Sequence, residues 1–230
     1  MWLKLDTMIS MEKFRFWANK NLSFVRRRSI SHLLKKVPKL FLEDLKVIDS
    51  SSVVLDLGAN VGHITELCAR RGATVYAFEP NTQAFAVLLK FCRKYKNVKP
   101  FQVAAGVQNK VVKLFLHKDS DLMNEDLTQS SSLLSTKSNV DSDKSIVVFE
   151  VDLKLLIDTL MVIDILKIDI EGYEIEVINH LIESKCIEKI KRIYVETHEL
   201  KNPELFESTM KLKQRVNDLS LSEKFVFSWH

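Results

Sequence analysis

No run of about 18 consecutive apolar residues occurs in this chain of 230 residues, and a helix crossing a bilayer needs one. The first residues also lack an apolar segment ending in a small-residue cleavage site. Neither spanning nor secretion is therefore expected, and the protein is expected in the cytoplasm. Cysteine is scarce: Cys68, Cys92 and Cys186 are odd in number, far apart and set in apolar helical stretches. That pattern excludes a disulfide framework and a cysteine metal cluster, and predicts buried free thiols. Signs of disorder are missing from most of the chain, whose 46% hydrophobic content is enough for one full core.

The net charge of +4 is unevenly spread, because Arg26-Arg27-Arg28, Lys35, Lys36 and Lys39 precede the first strand-like segment. Residues 1–50 read as a basic helical extension and residues 51–230 as one enzyme-sized domain. Phe14, Phe16, Trp17 and Phe24 are interleaved with the charges. Such an amphipathic helix could pack on the domain with a solvated charged face, or meet an anionic substrate or a membrane surface. The interleaved aromatic and glycine signature of an RNA-binding module is missing.

The segment Val53 to Gly62 reads as a buried strand entering a glycine-hinged turn, with helix-type sequence from His63 to Arg71. Gly58 and Gly62 are expected to remove Cβ atoms that would block a ligand, and the helix start to offer free N–H groups. The next strand, Thr74 to Phe78, ends in Glu79, about 20 residues after Gly58, where an α/β nucleotide site places a carboxylate on two ribose hydroxyls. A dinucleotide fingerprint would read G-x-G-x-x-G, and the middle glycine is absent here. Asn60 in its region argues against a diphosphate, and Asp56 at the strand end would repel phosphate but suits a cationic amino-acid group. The turn thus favours S-adenosylmethionine over NAD. The expected cofactor-binding residues are Asp56, Gly58, Ala59, Asn60, Gly62, Glu79 and Ala104.

Further along, Asn81 to Lys96 has helical spacing and Val98 to Ala105 returns as a strand. Val111 to Leu116 and Ser145 to Val151 read as an inserted β-ribbon around a polar loop at 118–144, with Ser130-Ser131-Ser132 as a candidate lid. Asp152 is expected to cap a short helix, Leu153 to Thr159. A buried strand, Ile163 to Ile168, runs into Asp169, Ile170, Glu171 and Gly172 before a helix from Glu174 to Ser184. The strand Arg192 to Val195 then delivers Glu196 and His198. In an open parallel sheet these strand ends line one crevice. A helix from Pro203 to Asn217 and a last segment, Leu219 to Trp229, complete the pattern, with room for one final edge strand.

Three blocks give this sequence a family likeness: Val54 to Gly62, containing LDLGANVG; Phe78-Glu79-Pro80; and Leu166 to Glu174, LKIDIEGYE. Val195-Glu196-Thr197-His198 is a weaker fourth. The chain resembles the FkbM-type S-adenosylmethionine-dependent methyltransferases from about Val53 to Leu200. The resemblance implies a Rossmann-like class I methyltransferase fold, mostly parallel, with helices on both faces. It also implies methyl transfer to a hydroxyl, often on a sugar or glycan-related small molecule.

Such a transfer needs an acceptor oxygen aligned with the sulfonium methyl and relieved of its proton. His198 is the natural base, and Glu171 or Asp169 could instead take the proton or orient the acceptor. A divalent ion held by Asp169, Glu171, Glu196 and His198 is an alternative to the histidine base, although no tight ligand motif is present and no metal ligands are assigned. His63 is a weaker candidate beside the turn. The rival readings are a cofactor-binding scaffold or nucleic-acid-associated protein, and a nicotinamide-dependent oxidoreductase.

Overall fold

In a computed structural model, residues 37–117, 140–200 and 202–229 are described. The compact unit that carries the sheet begins at Pro38. The helix Lys39–Val47 (α1) lies within that unit. Phe41 from α1 sits edge-on to Tyr194 and Trp229 at 5.3 and 5.0 Å between ring centres, and Asp44 accepts the Tyr194 hydroxyl at 2.6 Å. The arginine cluster and the aromatics at 14–24 lie outside the described residues, as do Ser130-Ser131-Ser132.

From α1 the chain alternates strand and helix: β1 (Val53–Leu57), α2 (His63–Arg70), β2 (Thr74–Phe78), α3 (Thr82–Cys92) and β3 (Val98–Phe101). Next come β4 (Ala104–Gly106), β5 (Lys110–His117), β6 (Val140–Asp152), α4 (Leu153–Thr159) and β7 (Ile163–Ile168). The domain closes with α5 (Glu174–Glu183), β8 (Ile190–Glu196), α6 (Phe206–Asp218) and β9 (Phe225–Trp229). The local signals are those of the sequence. Asn81 caps α3 by accepting from the amides of Gln83 and Ala84, and Asp152 caps α4 by accepting from Lys154.

The main sheet has the order β3-β2-β1-β7-β8-β9, and every pairing in it is parallel. Strands buried on both faces read as near-continuous apolar runs, as β1 and β7 do. On one face, Leu55, Leu57, Leu166, Ile168, Ile193 and Val195 pack with Val177, Ile178 and Leu181 of α5 and Leu212 and Val216 of α6. Each such side chain contributes about 1.5–3 kcal/mol of burial free energy. The fold is α/β with a Rossmann-like parallel sheet, as expected.

One expectation needs correction. The stretch Val98 to Ala105 is not one strand: β3 ends at Phe101, and Ala104 starts β4 in a second sheet of order β4-β6-β5. The chain breaks at Gln102 and Val103, so that β3 pairs with β2 and β4 pairs with β6. The inserted ribbon is the antiparallel pair β5 and β6, joined by β4, which runs parallel to β6. At the other edge, β9 pairs parallel to β8.

Candidate active site

Register places the chemistry. Leu57 is opposite Phe78 on one side and Ile168 on the other, and Ile168 is opposite Val195. One residue beyond these four lie Gly58, Glu79, Asp169 and Glu196, in a row along the C-terminal edge of the sheet. Ligands of open parallel sheets bind outside that edge.

The turn after β1 is held by its neighbours. The amides of Gly58 and Ala59 both donate to the carbonyl of Phe78, and Asp169 N donates to Leu57 O. Gly58 has φ 71°, and a Cβ there would lie 1.8 Å from the carbonyl oxygen of Asp169. The space a side chain would need there is filled by the backbone after β7. Gly62, at φ 85°, is the N-cap of α2, a left-handed position that glycine adopts at no steric cost. Asn60, at φ 50°, is also left-handed, which asparagine tolerates because its short polar side chain bonds locally; here Oδ1 accepts from Val61 N at 2.6 Å.

Glu79 is buried, and its two carboxylate oxygens are used evenly. Oε2 accepts from Asn60 N at 2.8 Å and Oε1 from Asn81 N at 2.7 Å. Burial pushes the carboxyl up to about 7, against the lowering effect of those two amides and of Lys167.

Asp56 is fully buried beneath the turn. It accepts the Thr65 hydroxyl at 2.6 Å and lies 3.6 Å from the ammonium of Lys167. Lys167 faces Asp56 across the β1–β7 pairing. Its ammonium also donates to Gly58 O at 2.9 Å and pairs with Asp169 Oδ2 at 3.1 Å. Burial alone would lower its pKa, but Asp169 and Asp56 outweigh that and hold it above the ordinary lysine range. Asp56 thus braces the turn from below through Thr65 and Lys167.

The second half of the rim surrounds His198, 2% exposed. Nε2 lies 3.2 Å from Glu171 Oε2, 3.7 Å from Asp169 Oδ1 and 3.8 Å from Glu196 Oε1, while Nδ1 lies 3.1 Å from Glu174 Oε1. These are ionic approaches; neither ring nitrogen makes an aligned hydrogen bond. Burial would lower the imidazole pKa, but Glu171 and Glu174 outweigh it and push it up to about 10. The loop carrying Glu171 is strained, since Glu171 itself has φ 60°, uncommon for a residue with a Cβ. Glu174, at the start of α5, holds that loop by accepting from the amides of Ile170 and Gly172.

The sequence of residues 56–219 matches the Methyltransferase FkbM domain, which is more than half of the chain. The chain belongs to the FkbM methyltransferase family. Solved structures with similarity to this FkbM methyltransferase include a precorrin 8w decarboxylase from Methanobacterium thermoautotrophicum. That protein is 17% identical, with 73% of this chain and 62% of that one covered and a TM-score of 0.38; this chain thus spans under two thirds of its length. A precorrin-6y C5,15-methyltransferase from Geobacter metallireducens is 14% identical, with 78% and 68% covered and a TM-score of 0.41. An rRNA methylase from Streptococcus thermophilus is 14% identical, with 75% and 76% covered and a TM-score of 0.41. No curated protein matches the chain significantly.

In this FkbM methyltransferase the edge brings together Gly58, Ala59, Asn60, Gly62 and Glu79 on one side and Asp169, Glu171, Glu196 and His198 on the other. Ala104 is displaced into the second sheet, three residues beyond the end of β3, and His63 is the half-buried first residue of α2. Sequence reasoning assigned no role to Lys167 or Glu174. Lys167 had a signal, because a lysine inside a strand otherwise reading Ile-Asp-Ile-Leu-Lys-Ile needs a buried partner. Among the described residues no helix is long and apolar enough to cross a membrane.

Proposed function

We propose that this chain transfers the methyl group of S-adenosylmethionine to a hydroxyl oxygen of a sugar, glycan or related small metabolite. The observation that carries this reading is the division of one sheet edge into a turn with a buried carboxylate and, beside it, an acidic rim. Glu79 fits the cofactor: each of its oxygens takes one backbone amide and keeps a lone pair for a ribose hydroxyl. The Gly58 to Gly62 turn presents the backbone beside it. Bound S-adenosylmethionine supplies a methyl group on a positive sulfur, which becomes a neutral thioether as the new C–O bond forms and the acceptor's proton passes to the rim.

Glu171 takes that proton. Its carboxylate stands 3.2 Å from Nε2 of His198, a contact that positions it on the rim. Asp169 and Glu196 orient the acceptor hydroxyls, and Asp56 acts from beneath the turn. The test is methyl transfer from labelled cofactor to fractionated cell glycans and small metabolites. Label appearing in an alkali-stable ether on a sugar-like acceptor is the expected result. Label confined to a nitrogen or carbon acceptor, or failure of the folded protein to bind the cofactor, would sink this reading.

A further inference from the structure

We propose that Asp169, Glu196 and His198 form a divalent-cation site whose open coordination positions receive oxygens of the methyl acceptor. The inference rests on the methyl-transfer reading for its chemistry, but the site stands on geometry. One oxygen from each carboxylate and one ring nitrogen lie within 4.8 Å of one another, and opposite ligands of a bound divalent ion are roughly 4–5 Å apart. The three come from the ends of adjacent strands, β7 and β8, so the sheet itself sets their spacing.

A further observation points to a cation. The His198 ring is almost wholly buried, yet neither nitrogen makes an aligned hydrogen bond, although buried polar groups nearly always do. Its Nε2 faces the carboxylates of Asp169, Glu171 and Glu196.

Two carboxylates with one imidazole suit a hard to borderline ion such as Mn²⁺ or Mg²⁺. An ion here would polarise the acceptor O–H, so that its proton leaves to Glu171 as the oxygen bonds the methyl carbon and the S–C electron pair returns to sulfur. An acceptor with two neighbouring oxygens would chelate the ion and gain orientation.

The test titrates Mn²⁺ into the chelator-stripped full chain and follows the free-ion signal by electron paramagnetic resonance. Wild type is expected to remove about one equivalent, and the Asp169→Asn and Glu196→Gln variants to bind at least about tenfold more weakly. Glu207→Gln, on the exposed side of α6, should bind as wild type does. Circular dichroism confirms that each variant is folded, and Glu196→Gln keeps the shape of the side chain should Asp169→Asn fail to fold. An undiminished free-ion signal with folded wild type overturns the site, as does Mn²⁺ binding that is unchanged in Glu196→Gln. Cofactor affinity is measured separately by calorimetry on the metal-free protein. Cofactor binding without Mn²⁺ binding overturns the cation site and leaves methyl transfer standing. Mn²⁺ binding lost in Glu196→Gln, in a protein that binds no cofactor, supports the site and rejects the methyl-transfer reading.

Discussion

Nδ1 of His198 lies 3.1 Å from Oε1 of Glu174, and the same carboxylate accepts the amides of Ile170 and Gly172. One buried side chain therefore ties the histidine after β8 to the strained loop after β7. Glu174→Ala would leave two amides without their acceptor and the imidazole without this counter-charge. We expect a loss of about 2–4 kcal/mol in stability, read from urea unfolding. An unchanged midpoint and slope would mean that Glu174 does not clamp the loop.

Glu79 predicts a pH effect with a definite sign. Its carboxyl is pushed up to about 7 by burial, above its value in an unfolded chain. Its contribution to stability is therefore full at acid pH and is lost as pH rises through about 7. Its contribution to cofactor binding runs the other way, because the ionised form accepts two ribose hydroxyls. Affinity for S-adenosylmethionine should weaken as pH falls below about 7, and Glu79→Ala should weaken it by about 1–3 kcal/mol and flatten the profile. Calorimetry that finds wild-type affinity in the folded variant would remove Glu79 from the pocket.

Lys167 is the cation on which Asp56 depends. Lys167→Met should destabilise the protein by about 3–5 kcal/mol, since two carboxylates lose their counter-charge at a buried site. Adding Asp56→Asn should recover part of that loss. Additive effects of the two substitutions in thermal unfolding would argue against the coupling.

Gly58→Ala tests whether the glycine serves the fold or the ligand. A Cβ there meets the Asp169 carbonyl at 1.8 Å in a left-handed conformation, so the variant should lose more than about 1 kcal/mol of stability even without cofactor. A cofactor-free melting temperature equal to wild type would show that the carbonyl moves aside at no cost.

Glu171→Gln separates chemistry from binding. Affinity for the cofactor should stay within about twofold while kcat falls on the order of 100-fold. Single-turnover transfer at the wild-type rate would place the proton acceptor elsewhere on the rim.

Much of this molecule is written in local pattern. The apolar runs of β1 and β7, the caps at Asn81 and Asp152, and the turn glycines each follow from short-range sterics and hydrogen bonding, so these elements are legible one segment at a time. The parallel alternation, in turn, assigns Glu79, Asp169 and Glu196 to one edge, because strands that run the same way end on the same side. What the sequence left open are relations between distant segments. The break between Phe101 and Ala104, the burial of Asp56 against Lys167, the Asp169 carbonyl in the space beside Gly58 and the joining of His198 to Glu174 depend on strand register and close packing. Those are set when the sheet assembles. A residue's own neighbours in sequence can decide that it is buried or turned, but which remote atom then lies within about 3–4 Å is decided by the packed tertiary structure, where every side chain must fill space that others leave.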